Sequence, residues 1–273
     1  MASLTRMEAA EYRKLAAVED EMWYFRALHA HVERALVGAL GSGGDASPSP
    51  HFPEIEGAAE APRRHPRILD AGCGTGGLIR QLAPRHSAWR WTGVDIEPLA
   101  CTLARERAGD QSTDIHEASV TALPFGEGTF DAVVSADVLY HVDDDAAALR
   151  QFFRVLRPGG TLVINVSAYR WLWSYHDEAV HARRRYGRGE VRAKLGAAGF
   201  AAPRATHWNA LPFPLVVARR KFFPAPRDGS DVRLFPAPVE SAFNAAMAVE
   251  RGWLGAFGAL PFGSSILAVA RKP

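Results

Sequence analysis

Residues 66–77 read PRILDAGCGTGG, and this stretch decides the fold. An apolar strand over 67–70 ends in an acid, turns through glycines and enters a helix at 76. Glycines at 72, 74 and 76 let the backbone take positive φ and approach a ligand closely. The helix start offers unpaired N–H groups to something polar or anionic. Gly72, Gly74 and Gly77 also satisfy the G-x-G-x-x-G spacing of dinucleotide sites, a weak match by itself. Asp70 argues against a dinucleotide. A carboxylate ending the strand repels a pyrophosphate and suits a cationic or amine-bearing ligand instead.

Outward from this turn the α/β pattern continues. WRWTGVD, 89–95, is a second strand ending in Asp95, a helix and a strand beyond the glycines. A carboxylate there accepts both ribose hydroxyls of a nucleoside, which serves NAD and other nucleoside cofactors equally. A crossover helix over 98–108 leads to a third strand with its exit loop over 113–120, and a fourth strand is expected over 130–135. Helix 143–156 ends at RPGG before a fifth strand, 160–166. The acids Asp143, Asp144 and Asp145 open that helix, where the macrodipole and capping favour them over a metal role. Helix 189–198, strand 203–208 and a last strand over 264–272 complete a series of alternating units that means a parallel sheet.

Before the turn, residues 1–40 read as two helices broken near Glu19–Glu21, an N-terminal cap or lid. Trp23, Tyr24 and Phe25 cluster at its second helix and pack on the core or close over a ligand. Residues 41–65 are rich in Gly, Ser, Pro and Ala and read as a flexible linker. Residues 66–273 form the core. Within it, 168–200 is crowded with Trp, Tyr, His and Arg, and 209–263 is a helical insertion before the last strand. That insertion is a cover for the core, a hydrophobic substrate channel or a shallow peripheral membrane contact.

Composition bounds the rest. At 273 residues, 48% hydrophobic and 23% charged, the chain suits a soluble α/β domain with additions. A net charge of +2 does not argue for nucleic acid, and no N/D-P-P-Y/F tetrad is present. The 2 cysteines offer neither a disulfide framework nor zinc spacing, so a cytoplasmic setting and no metal are expected. The N-terminal residues lack the apolar run of a leader. No stretch of about 18 apolar residues is available to span a bilayer.

The run DAGCGTG (70–76), the acid at 95 and LPFGEGTFDAVVSADVLYHV (123–142) together resemble class I S-adenosylmethionine (SAM) methyltransferases of the small-molecule type. The resemblance covers about 67–200 well and the remainder loosely. It implies a doubly wound, mostly parallel seven-stranded sheet with helices on both faces, the seventh strand antiparallel between the fifth and sixth. It implies SAM as cofactor and S-adenosylhomocysteine as product. Gly72, Cys73, Gly74 and Gly76 would line the methionine part, with Asp70 near its amino group. Asp95 would hold the ribose, with Ile96, Ser119 and Val120 beside the adenine and Asp137 also on the cofactor. Ser119 departs from the acid many relatives carry.

The acceptor would be a small molecule facing Trp23, Tyr24, Tyr140, Trp173 and Tyr186, with Arg184 and Arg185 gripping a carboxylate or phosphate. Methyl transfer to O, N or C needs positioning above all, and a base where the nucleophile is a hydroxyl or an activated carbon. His176 and His141 are the candidate bases, Asp177 orienting His176. Two rivals stand beside this reading: a protein of the same fold that binds SAM and catalyses a non-methylating reaction such as cyclisation, and an NAD-dependent oxidoreductase.

Overall fold

The computed structural model describes residues 9–41, 65–109, 113–225 and 230–273. Most of the expected linker, residues 42–64, lies outside the described residues. At the N-terminus, α1 (Ala9–Val18) and α2 (Trp23–Leu40) are separated at Glu19–Met22. On α2, Trp23, Ala27, Leu28, Val32, Leu36 and Leu40 recur at helical spacing, and all are buried. That face lies on the sheet.

The sheet units follow: β1 (Arg67–Ala71), α3 (Gly77–Leu82), β2 (Arg90–Asp95), α4 (Pro98–Ala108), β3 (Thr113–Glu117) and β4 (Phe130–Ala136). Then come α5 (Asp145–Val155), β5 (Leu156–Ser167), α6 (Tyr175–Ala179), α7 (Arg188–Ala197) and β6 (Ala201–Trp208). The chain closes with α8 (Phe213–Phe222), α9 (Ala237–Phe257) and β7 (Ser265–Arg271).

Strand order is β3-β2-β1-β4-β5-β7-β6. All pairs are parallel except those of β7, which runs antiparallel between β5 and β6. The order reverses between β1 and β4. In such sheets the crevice outside the carboxyl ends of these strands is where ligands bind. Two apolar layers hold the helices. Leu149 and Phe152 of α5 and Leu195 of α7 share one with β4 and β5. The other joins Leu36 of α2, Ile79 of α3, Ala104 of α4 and Met247 of α9.

One boundary differs from expectation. RPGG does not stand between a helix and a strand: β5 begins at Leu156, which pairs with Phe130, and the register shifts before Ala132 pairs with Thr161. The turn residues form an irregularity within the strand. Arg157 Nε donates to buried Asp131 at 2.5 Å, and Lys272 Nζ donates to the Leu156 carbonyl at 2.8 Å. These contacts hold the strand together through the proline and glycines.

Candidate active site

The carboxyl ends of β1, β2 and β4 open into a cavity of about 520 Å³. Its inner half is built from backbone. The amides of Gly72 and Cys73 both donate to the Val94 carbonyl, at 2.7 and 2.8 Å, folding the glycine turn onto the end of β2. Gly72 takes φ +89°, and a Cβ there would lie 2.2 Å from Val138 Cγ2, so only glycine fits. Asp95 bridges the two loops: its carboxylate accepts from Gly74 N at 2.9 Å and from Glu97 N at 3.0 Å. Burial holds the Asp95 carboxyl above its ordinary range. Ile96, Ser119, Val120 and Thr121 continue this wall. The Ser119 and Thr121 hydroxyls are hydrogen-bonded to each other at 2.8 Å.

Asp70 is 3% exposed and lines the cavity, and no hydrogen-bond donor reaches it among the described residues. Burial, then the nearby Asp95 and Glu19 carboxylates, push it up to about 8. A carboxyl so placed calls for a cation. Glu19, which sequence reasoning missed, sets a second carboxylate against a pyrophosphate at this turn. It accepts from Thr75 Oγ1 in the glycine turn and from Arg107 Nη1 of α4. A Cβ on Gly77, the first residue of α3, would fall 2.5 Å from its carboxyl carbon. The anion position at this helix start is thus filled by the protein's own carboxylate. The only sequence signal for it was the run of acids at the break between the two N-terminal helices.

Asp137 follows β4 with φ +58° and faces the cavity. Its carboxylate accepts from Tyr24 Oη at 3.1 Å and from Asn165 Nδ2 at 2.9 Å, and burial pushes it up to about 6. Trp23, Tyr24, Tyr140, His141 and His176 line the cavity as well. Trp23 stacks on Phe243 with centroids 4.8 Å apart, and Tyr24 on Trp208 at 5.2 Å.

The two histidines differ in their hydrogen bonds. His176 Nδ1 accepts from the Asp231 backbone N–H at 3.1 Å, which leaves the ring proton of the neutral form on Nε2. Burial, then Arg220, lowers its pKa to about 3. His141 is lowered to about 4 by burial, opposed by a hydrogen bond to the His181 backbone that favours a ring proton.

Several expected site residues lie elsewhere. Asp177 does not orient His176: it closes the capping box of α6, accepting from Ser174 N at 2.9 Å, and pairs with Arg185. Arg185 touches the cavity but is committed inward. Its Nε and Nη2 reach Asp177 at 2.6 and 3.1 Å, and Nη1 donates to the Ala168 carbonyl at 2.9 Å. Such a bidentate pair leaves no fork for an anionic acceptor. Arg184 is off the cavity, donating to the Asp143 carbonyl at 2.8 Å and pairing with Asp145. Tyr186 is buried in the apolar layer with its hydroxyl on Asp145 at 2.8 Å, and Trp173 is not among the lining residues. Gly76 faces α4, 3.1 Å from Ala104 by its would-be Cβ, rather than the cavity.

The outer half comes from the N-terminal cap and the 209–263 insertion, through residues the sequence did not single out. Tyr12 and Leu15 of α1, Leu215, Val216, Arg219 and Arg220 of α8, and the stretch 231–235 enclose it. Asp231 ties three elements, accepting from Tyr175 Oη at 2.7 Å and Arg220 Nε at 3.1 Å while its amide caps His176. Lys14 Nζ donates to Ser230 Oγ at 2.8 Å, joining α1 to the same stretch. Among the described residues no group of three or more His, Cys, Asp or Glu side chains could hold a metal ion, and no helix is long and apolar enough to cross a membrane.

Comparison with known proteins bears on this geometry. Residues 69–164 match the methyltransferase domain family. A demethylmenaquinone methyltransferase of Thermus thermophilus is 39% identical over 100 residues, 36% of this chain and 46% of that protein. A malonyl-acyl-carrier-protein O-methyltransferase of Enterobacter lignolyticus is 32% identical over 142 residues, 49% of this chain and 54% of the other. The chain spans about half the length of these curated relatives. Among solved structures, the Haloferax volcanii complex of the Trm112 methyltransferase activator with a methyltransferase aligns at TM-score 0.59 and 20% identity, over 96% of this chain and 98% of that one. The 4+2 cyclase SpnF aligns at 0.51 and 23% identity, over 76% and 75%. These structural likenesses establish the fold.

Proposed function

On the premise that this chain carries a class I S-adenosylmethionine-dependent methyltransferase domain, we propose that it transfers a methyl group to O, N or C of a small, largely apolar acceptor. The observation that carries this reading is one continuous cavity. Its backbone-built inner half holds a buried carboxyl in need of a cation, and its outer half is mostly aromatic and aliphatic, with Arg219, Arg220 and Asp231 beside two neutral histidines. SAM, when bound, supplies an electrophilic methyl on a sulfonium that is already a good leaving group. The relatives' acceptors, a demethylmenaquinone and a malonyl-acyl-carrier protein among them, differ too widely to name this one.

The roles follow from the side chains. Asp70 faces the cationic end of the cofactor and Asp95 accepts from its ribose, with Ile96 and the Ser119–Val120 pair beside the base. His141 is the general base: its contact with the His181 backbone holds one ring nitrogen protonated and leaves the other as an acceptor. Its lowered pKa keeps it unprotonated at neutral pH. His176 is assigned the opposite role. With Nδ1 occupied, it donates from Nε2 and orients the acceptor rather than deprotonating it. Tyr24 on Asp137 closes the wall between the halves.

Incubation with methyl-labelled SAM and a panel of phenolic, amine and polyprenyl-type acceptors tests the proposal. Label should pass into an extractable product with at least one apolar acceptor. Tight SAM binding with no transfer across the panel would instead favour a non-methylating reaction on this fold. The likeness to SpnF, a cyclase, is the observation that keeps that second reading open.

A further inference from the structure

The helix α8 is anomalous. It has ten residues and not one is buried. Leu215 is 60% exposed, Phe222 80% and Phe223 60%, where a soluble surface helix turns such side chains inward. The patch extends beyond the helix, for Leu211, Trp171 and Phe262 are each about half exposed. Phe213 joins them, its ring centroid 6.1 Å from Trp171 and 6.0 Å from Phe262. Contiguous exposed aromatics mark a contact surface.

Charge identifies what it contacts. From Ala201 to Phe223 the chain holds Arg204, Arg219, Arg220 and Lys221 and no acid. Asp231 pairs with Arg220, whereas Arg219 and Lys221 are held by carbonyls, those of Pro224 and Trp173, and among the described residues no carboxylate pairs with either. Lys221 immediately precedes Phe222 and Phe223, so cations and inserting aromatics share one end of the helix. We propose that α8 and its flanks dock this protein on an anionic lipid surface, with Phe222 and Phe223 entering the acyl boundary and Arg219 and Lys221 at the headgroups.

A second copy of the chain fits less well. A two-fold contact centred on the basic end of α8 would set these cations against their own images. It would also cover the cavity, because Leu215 belongs both to the exposed patch and to the cavity wall, beside Val216 and Arg219. A bilayer on this face places the cavity mouth at the lipid boundary. The docking itself does not depend on methyl transfer.

The full chain is sedimented with vesicles of phosphatidylcholine alone and with added phosphatidylglycerol, in low and high salt. Binding is expected only with the anionic lipid, weakening as salt rises. Phe222→Ser with Phe223→Ser should weaken it about tenfold or more, and Lys221→Glu severalfold. Neither variant touches the cavity lining, so SAM affinity and melting temperature should hold. Equal binding to neutral vesicles, undiminished binding by the phenylalanine variant, or a dimer that the variant dissolves with no vesicle binding by the parent would each overturn the proposal.

Discussion

The two halves of the cavity are made of different materials. The inner half is backbone: amides of Gly72, Cys73 and Gly74 clamped to Val94 and Asp95 within one βαβ unit. The outer half is side chain, assembled from pieces as distant as Lys14 and Ser230, 216 positions apart. A backbone site has one geometry and admits one kind of ligand. A side-chain site is reshaped by single substitutions. The chain thus joins a rigid donor end to an adaptable acceptor end, and each expectation below tests one side of that division.

The largest effect is expected where the halves meet. His141→Ala should lower turnover by about 10²–10⁴, the loss of a general base, with SAM affinity little changed. His176→Ala should instead raise KM and leave kcat within about tenfold, since a lost orienting hydrogen bond is worth roughly 1 kcal/mol. Steady-state kinetics of the two variants separate the roles. If His176→Ala were the one to lose turnover, the assignment from the Asp231 hydrogen bond would be reversed.

A smaller but firmer effect belongs to the inner half. Asp95→Ala removes the acceptor shared by Gly74 and Glu97 and the proposed ribose contact together. SAM binding should weaken by about 1.5–3 kcal/mol, the scale of hydrogen bonds to a charged group. Calorimetry on the folded variant measures it. Unchanged affinity would detach Asp95 from the nucleoside.

How much of this was legible in the sequence follows the same division. Gly72, Asp95 and Ile96 stand at strand ends, where position in the βα order determines what a residue faces, and the seven strands were readable for the same reason. Ion-pair partners were not. Asp177 and Arg185 looked like free functional groups, yet at eight residues apart they satisfy each other across a turn. Glu19 and Arg107 meet across 88 positions, and nothing local to either announces it. The α8 wall reads in sequence as apolar with a basic end, which does not reveal that one side closes a cavity while the other stays bare. The RPGG stretch misled because proline and glycine mark a strand irregularity as readily as a helix stop.

Asp70 gives the subtlest test, because it needs no acceptor. In the free protein its carboxyl is raised to about 8, against an ordinary value of 3.8. A group raised on folding adds stability that is full below its unfolded value and is lost as pH climbs toward the folded one. The free protein should therefore lose stability from this site between pH 4 and pH 8. Asp70→Asn, with the same shape and no charge to bury, should match the parent near pH 4 in melting temperature and exceed it by a few degrees near pH 8. The cofactor reverses the sign. A cation beside Asp70 requires the ionised form, so SAM binding below pH 8 expels a proton. Affinity should then improve with pH by up to about tenfold per unit and level off above pH 8, and the dependence should vanish in Asp70→Asn. Calorimetry in two buffers of different ionisation enthalpy counts the proton directly. No proton released at pH 6.5 in the parent would mean that the cation lies elsewhere and that Asp70 supports the turn alone.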